Sequence, residues 1–321
     1  MTVHFISVGR SLHDSLDRIR DRKSLRSEIV RAILDRKPQS LLADQGIKTG
    51  ETASAWLARC IAALSTAARD EGAAGLFGSV CAAVHPEEWL SDLSAELDTF
   101  ARAAGPGHRH RLRGDDVAFL ISSDTVMGLT AGLWNAAALT GADLSRIRYL
   151  ATADEPPGDL RGHAVLVRVS GLDAGDSAGF DEAMEGLGRL GRNMLDAADI
   201  DATEPFRFYL SGGYKAAIPY LIGLAEGLRS VDPHRDVSAW VLHDTTKSAA
   251  IQLPLRRFIA GTVQEQLGQF TDGRRRDKPS GPPVLEGYAY DYDAAGNEWR
   301  LTSFGKGLLS LYPAGSQGLR R

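Results

Sequence analysis

The sequence predicts an α/β fold built on a doubly wound, mostly parallel β-sheet. Three observations predict it. Short, mainly apolar runs of strand character recur along the chain. Segments with helical spacing separate them. Several runs end in Gly, Ser, Asp or Thr, the residues that turn a strand into a following helix.

The elements follow in order. Val3 to Val8 is the first strand, and Gly9-Arg10-Ser11 is its turn. A charged helical pattern covers residues 12–36, with Leu16, Ile19, Ile29, Val30 and Ile33 on one side, and Lys37-Pro38 ends it. Residues 50–103 are Ala-rich and helical in character, up to the breaker Gly105-Pro106-Gly107. A second strand spans Val117 to Ser122, closes in Ser123-Asp124-Thr125 and leads into a helix over residues 126–139. Arg146 to Thr152 and Ala164 to Val169 are further strands, and Phe180 to Ala198 is a helix. Phe206 to Leu210 is a strand, Ser211-Gly212-Gly213 a turn and Tyr214 to Arg229 a helix. Val237 to Leu242 and Ala250 to Leu253 are the last strands of the sheet.

This gives an expected division into residues 1–257, carrying a helical insertion at 37–115, and a small α+β appendage at 258–321. The appendage has a helix at 258–270, a polar stretch to Pro283, and a β-hairpin pattern, Gly287 to Tyr292 and Glu298 to Thr302. Its last segment, Phe304 to Tyr312, is amphipathic. The arrangement is similar to the wing of a winged-helix module.

Composition narrows the function. The chain has 321 residues, 43% hydrophobic and 24% charged, which is ample for a large core. No apolar stretch is long enough to span a bilayer. The start of the chain lacks the basic and apolar regions of an export signal, so a cytoplasmic location without membrane contact is expected. Cys60 and Cys81 are too few for a disulfide framework or a four-cysteine zinc site. The net charge of −4 argues against a protein that coats nucleic acid, although a local anion site needs only a few donors. Two basic islands, Arg102 to Arg113 and Arg274-Arg275-Arg276, read as solvated loops.

Two patterns imitate functional motifs. Gly186-Leu187-Gly188-Arg189-Leu190-Gly191 matches G-x-G-x-x-G, but it falls inside a helical pattern instead of at a strand-to-helix turn. Close packing of small residues explains it better. Arg229 and His234 have the R-x4-H spacing of one ribonuclease class, but Pro233 and the α/β context oppose that reading. No P-loop, H-E-x-x-H or G-x-S-x-G pattern occurs.

The most informative segment is Phe206 to Gly227, FRFYLSGGYKAAIPYLIGLAEG. Two glycines after a strand permit close backbone approach to a ligand, and the free amides of the next helix favour an anion. Lys215 stands where the helix dipole disfavours a cation unless an anion is bound beside it. Ligands of doubly wound sheets lie beyond the carboxyl ends of the strands. Three strand ends are therefore candidates: Gly9-Arg10-Ser11, Ser123-Asp124-Thr125 and Ser211-Gly212-Gly213-Tyr214-Lys215.

The last of these resembles the T-G-G-[FY]-K-x-x-x-P-[YF] motif of the CRISPR-associated Rossmann fold (CARF) family, with Ser211 in place of the first threonine. Gly9-Arg10-Ser11-Leu12 is similar to the family's opening G-T-S-L, with Arg10 in place of threonine. Ser123-Asp124-Thr125 and a late His243-Asp244, followed by Ile251-Gln252-Leu253-Pro254, also fit. The resemblance covers about residues 1–260 and implies a Rossmann-like domain that senses cyclic oligoadenylate, the messenger of type III CRISPR immunity, as a homodimer. A two-fold axis would double every contact to a ring of repeated units.

No effector domain is recognisable, which points to the family's ring nucleases. These need no metal and no cofactor. The resemblance implies Lys215 and Ser11 as catalytic residues. It implies Gly9, Arg10, Ser123, Asp124, Thr125, Ser211, Gly212, Gly213 and Tyr214 as ligand-binding. The alternative is a messenger-gated transcription regulator or other effector, with the C-terminal hairpin as a DNA wing and Arg274 to Arg276 on phosphate.

Overall fold

A computed structural model describes residues 1–9, 11, 94–104, 111–124, 126–141, 143–150, 152–153, 158, 160–172, 177–197, 200–213, 215–242 and 249–312. The expected helix at 12–36, most of the expected insertion and the His243-Asp244 pair lie outside these residues.

The sheet is the one the sequence predicts. Its strands are β1 (Val3–Ser7), β2 (Val117–Ser123), β3 (Ile147–Leu150), β4 (Ala164–Val169), β5 (Phe206–Tyr209), β6 (Val237–Leu242) and β7 (Ala250–Leu253). Their order is β3-β4-β2-β1-β5-β6-β7, and every pair is parallel except β6 with β7. The antiparallel edge has a simple cause. Only residues 243–249 separate those two strands, too few for the crossover a parallel pair needs.

Alternate side chains of the buried strands feed two cores. One face carries Ile6, Val8, Ala118, Leu120 and Tyr209, covered by α1 (Ala95–Ala103) through Leu97 and Phe100 and by α2 (Val126–Thr140) through Ala131, Leu133 and Leu139. The other carries Val3, Phe5, Val117, Phe119, Phe206 and Phe208. Phe5 stacks on Phe208 at 4.5 Å and on Phe119 at 5.4 Å, so one phenylalanine from each of three adjacent strands packs in a column. That face is covered by α3 (Ser177–Asp196) and α4 (Ile218–Val231).

The C-terminal residues form α5 (Ala260–Leu267), strands β8 (Arg274–Arg275), β9 (Tyr290–Asp293) and β10 (Glu298–Leu301), and α6 (Ser303–Leu311). The three strands make a small antiparallel sheet ordered β8-β10-β9. Tyr290, Leu301, Phe304, Leu308 and Leu311 belong to the same core as the second face of the large sheet.

The G-x-G-x-x-G segment lies inside α3, at the place where α6 docks. A Cβ on Gly188 would overlap the Gly307 carbonyl, and one on Gly191 would come within 2.9 Å of Leu224. On α4, Gly223 faces the Phe304 ring and Gly227 faces Leu311. Glycines on two helices thus make the bed for α6. Gly188→Ala is expected to destabilise the fold by about 2 kcal/mol through overpacking, measured by urea unfolding. An unchanged midpoint would contradict this packing account.

Candidate functional site

The winding of the sheet reverses between β1 and β5. The chain leaves β1 for β2 on one side, and leaves β5 for β6 on the other. Such a reversal opens a crevice at the carboxyl ends of the two strands. The three strand ends singled out in the sequence belong to β2, β1 and β5, which are neighbours in that order.

The ends of β1 and β5 touch. A Cβ on Gly9 would overlap the Gly213 amide nitrogen, so only glycine allows this approach. Gly213 has φ +96°, a conformation that also favours glycine. Ser7 on β1 donates through Oγ to the Gly212 carbonyl at 2.7 Å, binding the turn to the neighbouring strand.

Beneath this junction lies a carboxylate that the sequence did not single out. Glu96, in the first turn of α1, is fully buried. Its Oε1 accepts from the Gly9 amide at 2.8 Å, and its Oε2 accepts from the Ser11 hydroxyl. Ser94 Oγ lies 2.9 Å from the same Oε2 and 2.7 Å from Asn135 Oδ1 on α2. A Cβ on Gly212 would overlap the Glu96 side chain. Ser11 also accepts from the Ala95 amide at 3.1 Å. Charge-assisted hydrogen bonds of this kind suit a carboxylate taken out of water.

Ser211 faces inward. Its Oγ accepts from the Leu242 amide at 2.7 Å and is 2.6 Å from Thr99 Oγ1, so it joins the ends of β5 and β6 to α1. Asp124, just past β2, pairs with Arg168 of β4 at 3.6 Å. Ser123 is the last residue of β2 and is half-buried. Lys215 opens a 3-10 turn, Lys215–Ala217, which runs into α4, and it is exposed. The helix proper therefore starts three residues after Lys215, and Pro219 falls in its first turn, where its missing N–H costs nothing. Arg10, Thr125 and Tyr214 lie outside the described residues.

Of the predicted site residues, the structure thus brings Gly9, Ser11, Gly212 and Gly213 together around Glu96. Ser123 and Asp124 stand at the adjacent strand end. The missed residues are Ser94, Glu96, Thr99 and Asn135. One local signal was present. A capping box places its acid three residues after the cap serine. Here Ser94 caps α1, accepting from the Leu97 amide at 3.2 Å, but the acid comes two residues after it. At that offset Glu96 reaches across to β1.

The other patterns have structural partners. Arg229 donates to the Leu255 carbonyl, and His234 is an exposed turn residue. On the small sheet, Arg274 pairs with Glu298 and Arg300 with Glu298 and Asp293, and in the segment between its strands Lys278 pairs with Glu286. These acids offset the basic face that a DNA wing would present.

Among the described residues, no group of three or more His, Cys, Asp or Glu is placed to hold a metal ion, and no helix is long and apolar enough to cross a membrane. No family model matches the chain, and no curated protein matches it.

Proposed function

We propose that this chain is a cytoplasmic, homodimeric CARF protein that binds cyclic oligoadenylate, with cyclic tetra-adenylate as the preferred ring, and cleaves it as a metal-independent ring nuclease. The observation that carries the reading is the junction of Gly9 with Gly212 and Gly213 at the sheet reversal, with Lys215 at the start of the following turn.

In this reading a ribose 2′-hydroxyl attacks the adjacent phosphorus in line. A 2′-O–P bond forms, the P–O5′ bond breaks, and the products end in a 2′,3′-cyclic phosphate and a 5′-hydroxyl. The 2′-hydroxyl proton leaves to solvent, and solvent protonates the O5′ leaving group. The protein's work is to hold the in-line geometry and to offset charge on the phosphate. Lys215 supplies the cation, and Arg10 contacts phosphate through its guanidinium. Ser11 acts by fixing the turn after β1, since its hydrogen goes to Glu96. Asp124 and Thr125 contact ribose or base, and Ser123 and Tyr214 complete the proposed ligand-binding set.

That same hydrogen bond favours a second reading, a sensor that binds the ring without cutting it. Calorimetry separates binding from its absence. One ring per two chains is expected for cyclic tetra-adenylate, and no heat with either the tetra- or hexa-adenylate ring would sink both readings.

A further inference from the structure

We infer that the Glu96 carboxylate is an internal occupant of the anion position between β1 and β5, and that an incoming phosphate competes with it. The two donors that this strand end would offer an anion are the Gly9 amide and the Ser11 hydroxyl, and both point at Glu96. Gly212, the first glycine of the turn, has no room for a side chain because the Glu96 carboxyl lies against it. Two carboxylate oxygens therefore stand where two phosphate oxygens would.

The position is built, since Leu97 and Phe100 anchor the same helix in the core at 0% exposure. Glu96 is then a specificity-determining residue. It sets a charge that a ligand must overcome at the floor of the crevice, and it engages Ser11 until a ligand displaces it. This inference deepens the proposed function and rests on it for the identity of the natural ligand, though not for the competition itself.

Glu96→Gln keeps the shape. Its Oε1 still accepts from Gly9, while its Nε2 donates to Ser11 Oγ and frees the serine hydrogen for a phosphate oxygen. Calorimetry of wild type and variant with two probes, inorganic pyrophosphate and cyclic tetra-adenylate, is the test. Tighter binding of both by the variant, about tenfold or more, is expected from removing a like charge near the ligand.

Tighter pyrophosphate binding with no ring binding by either protein would support the competition and overturn the proposed function. Equal ring affinity in wild type and variant would overturn the competition and leave the function standing. No binding of either probe to either protein would overturn both. Should the variant fail to fold, 13C NMR of the wild type decides. The Glu96 carboxyl resonance is expected to move when a probe binds, and an unmoved resonance in the bound protein would overturn the inference.

Discussion

Arg256→Ala is expected to lower stability by about 2–3 kcal/mol, more than removal of the charge it faces. Glu226 of α4 is 3% exposed, and Arg256 forks onto it with contacts of 2.8 to 3.1 Å. Tyr288 donates to the same carboxylate at 2.8 Å, and the guanidinium lies 4.2 Å from the Tyr288 ring. Hydrogen bonding to Glu226 raises the Arg256 pKa, and burial, followed by the nearby carboxylate, raises that of Tyr288. Both partners therefore keep their protons throughout the range in which the protein would be studied.

The asymmetry lies in exposure. Arg256 is 58% exposed and returns to water cheaply, whereas Glu226 has no such route. Removing the arginine strands a buried charge; removing the charge strands little. Glu226→Gln alone is expected to cost about 1 kcal/mol. The double variant Glu226→Gln with Arg256→Ala should be more stable than Arg256→Ala alone, by urea midpoints. A double variant that simply adds the two losses would contradict this account. The cluster ties the segment after β7 and the C-terminal unit to α4, the helix that the Lys215 turn introduces.

Lys215→Ala is expected to reduce ring cleavage by about 100-fold, the usual consequence of removing one preorganised group that meets transition-state charge. Lys215 is exposed, so the substitution should leave the melting temperature almost unchanged. Ring affinity should fall less than turnover does, because the charge on the phosphate is greatest in the transition state. Lys215→Arg should restore part of the rate. Full cleavage by Lys215→Ala would refute the role given to the lysine.

The sheet was legible because short apolar runs such as Val117 to Ser122, and mainly apolar ones such as Phe206 to Leu210, alternate with segments of helical spacing. The strand ends were legible because glycines after such runs mark places of close backbone approach. The antiparallel edge at Ala250 went unpredicted, although the short connection before it excludes a parallel crossover.

Glu96 was not legible. Its partners Gly9 and Ser11 are more than eighty positions away in the chain, and its burial depends on the completed fold. The bed for α6 was half legible. The pattern at Gly186 to Gly191 was correctly read as packing, but what it packs against is more than a hundred positions further on. The glycines at the site carry a similar lesson. Gly9 meets the Gly213 backbone and Gly212 meets the Glu96 side chain, contacts that no local pattern announces.

Ring cleavage is tested most directly by mass spectrometry of cyclic tetra-adenylate after incubation with the purified protein in EDTA. The ring is expected to disappear, with linear products ending in a 2′,3′-cyclic phosphate in its place. A ring recovered intact after long incubation with excess protein would contradict it.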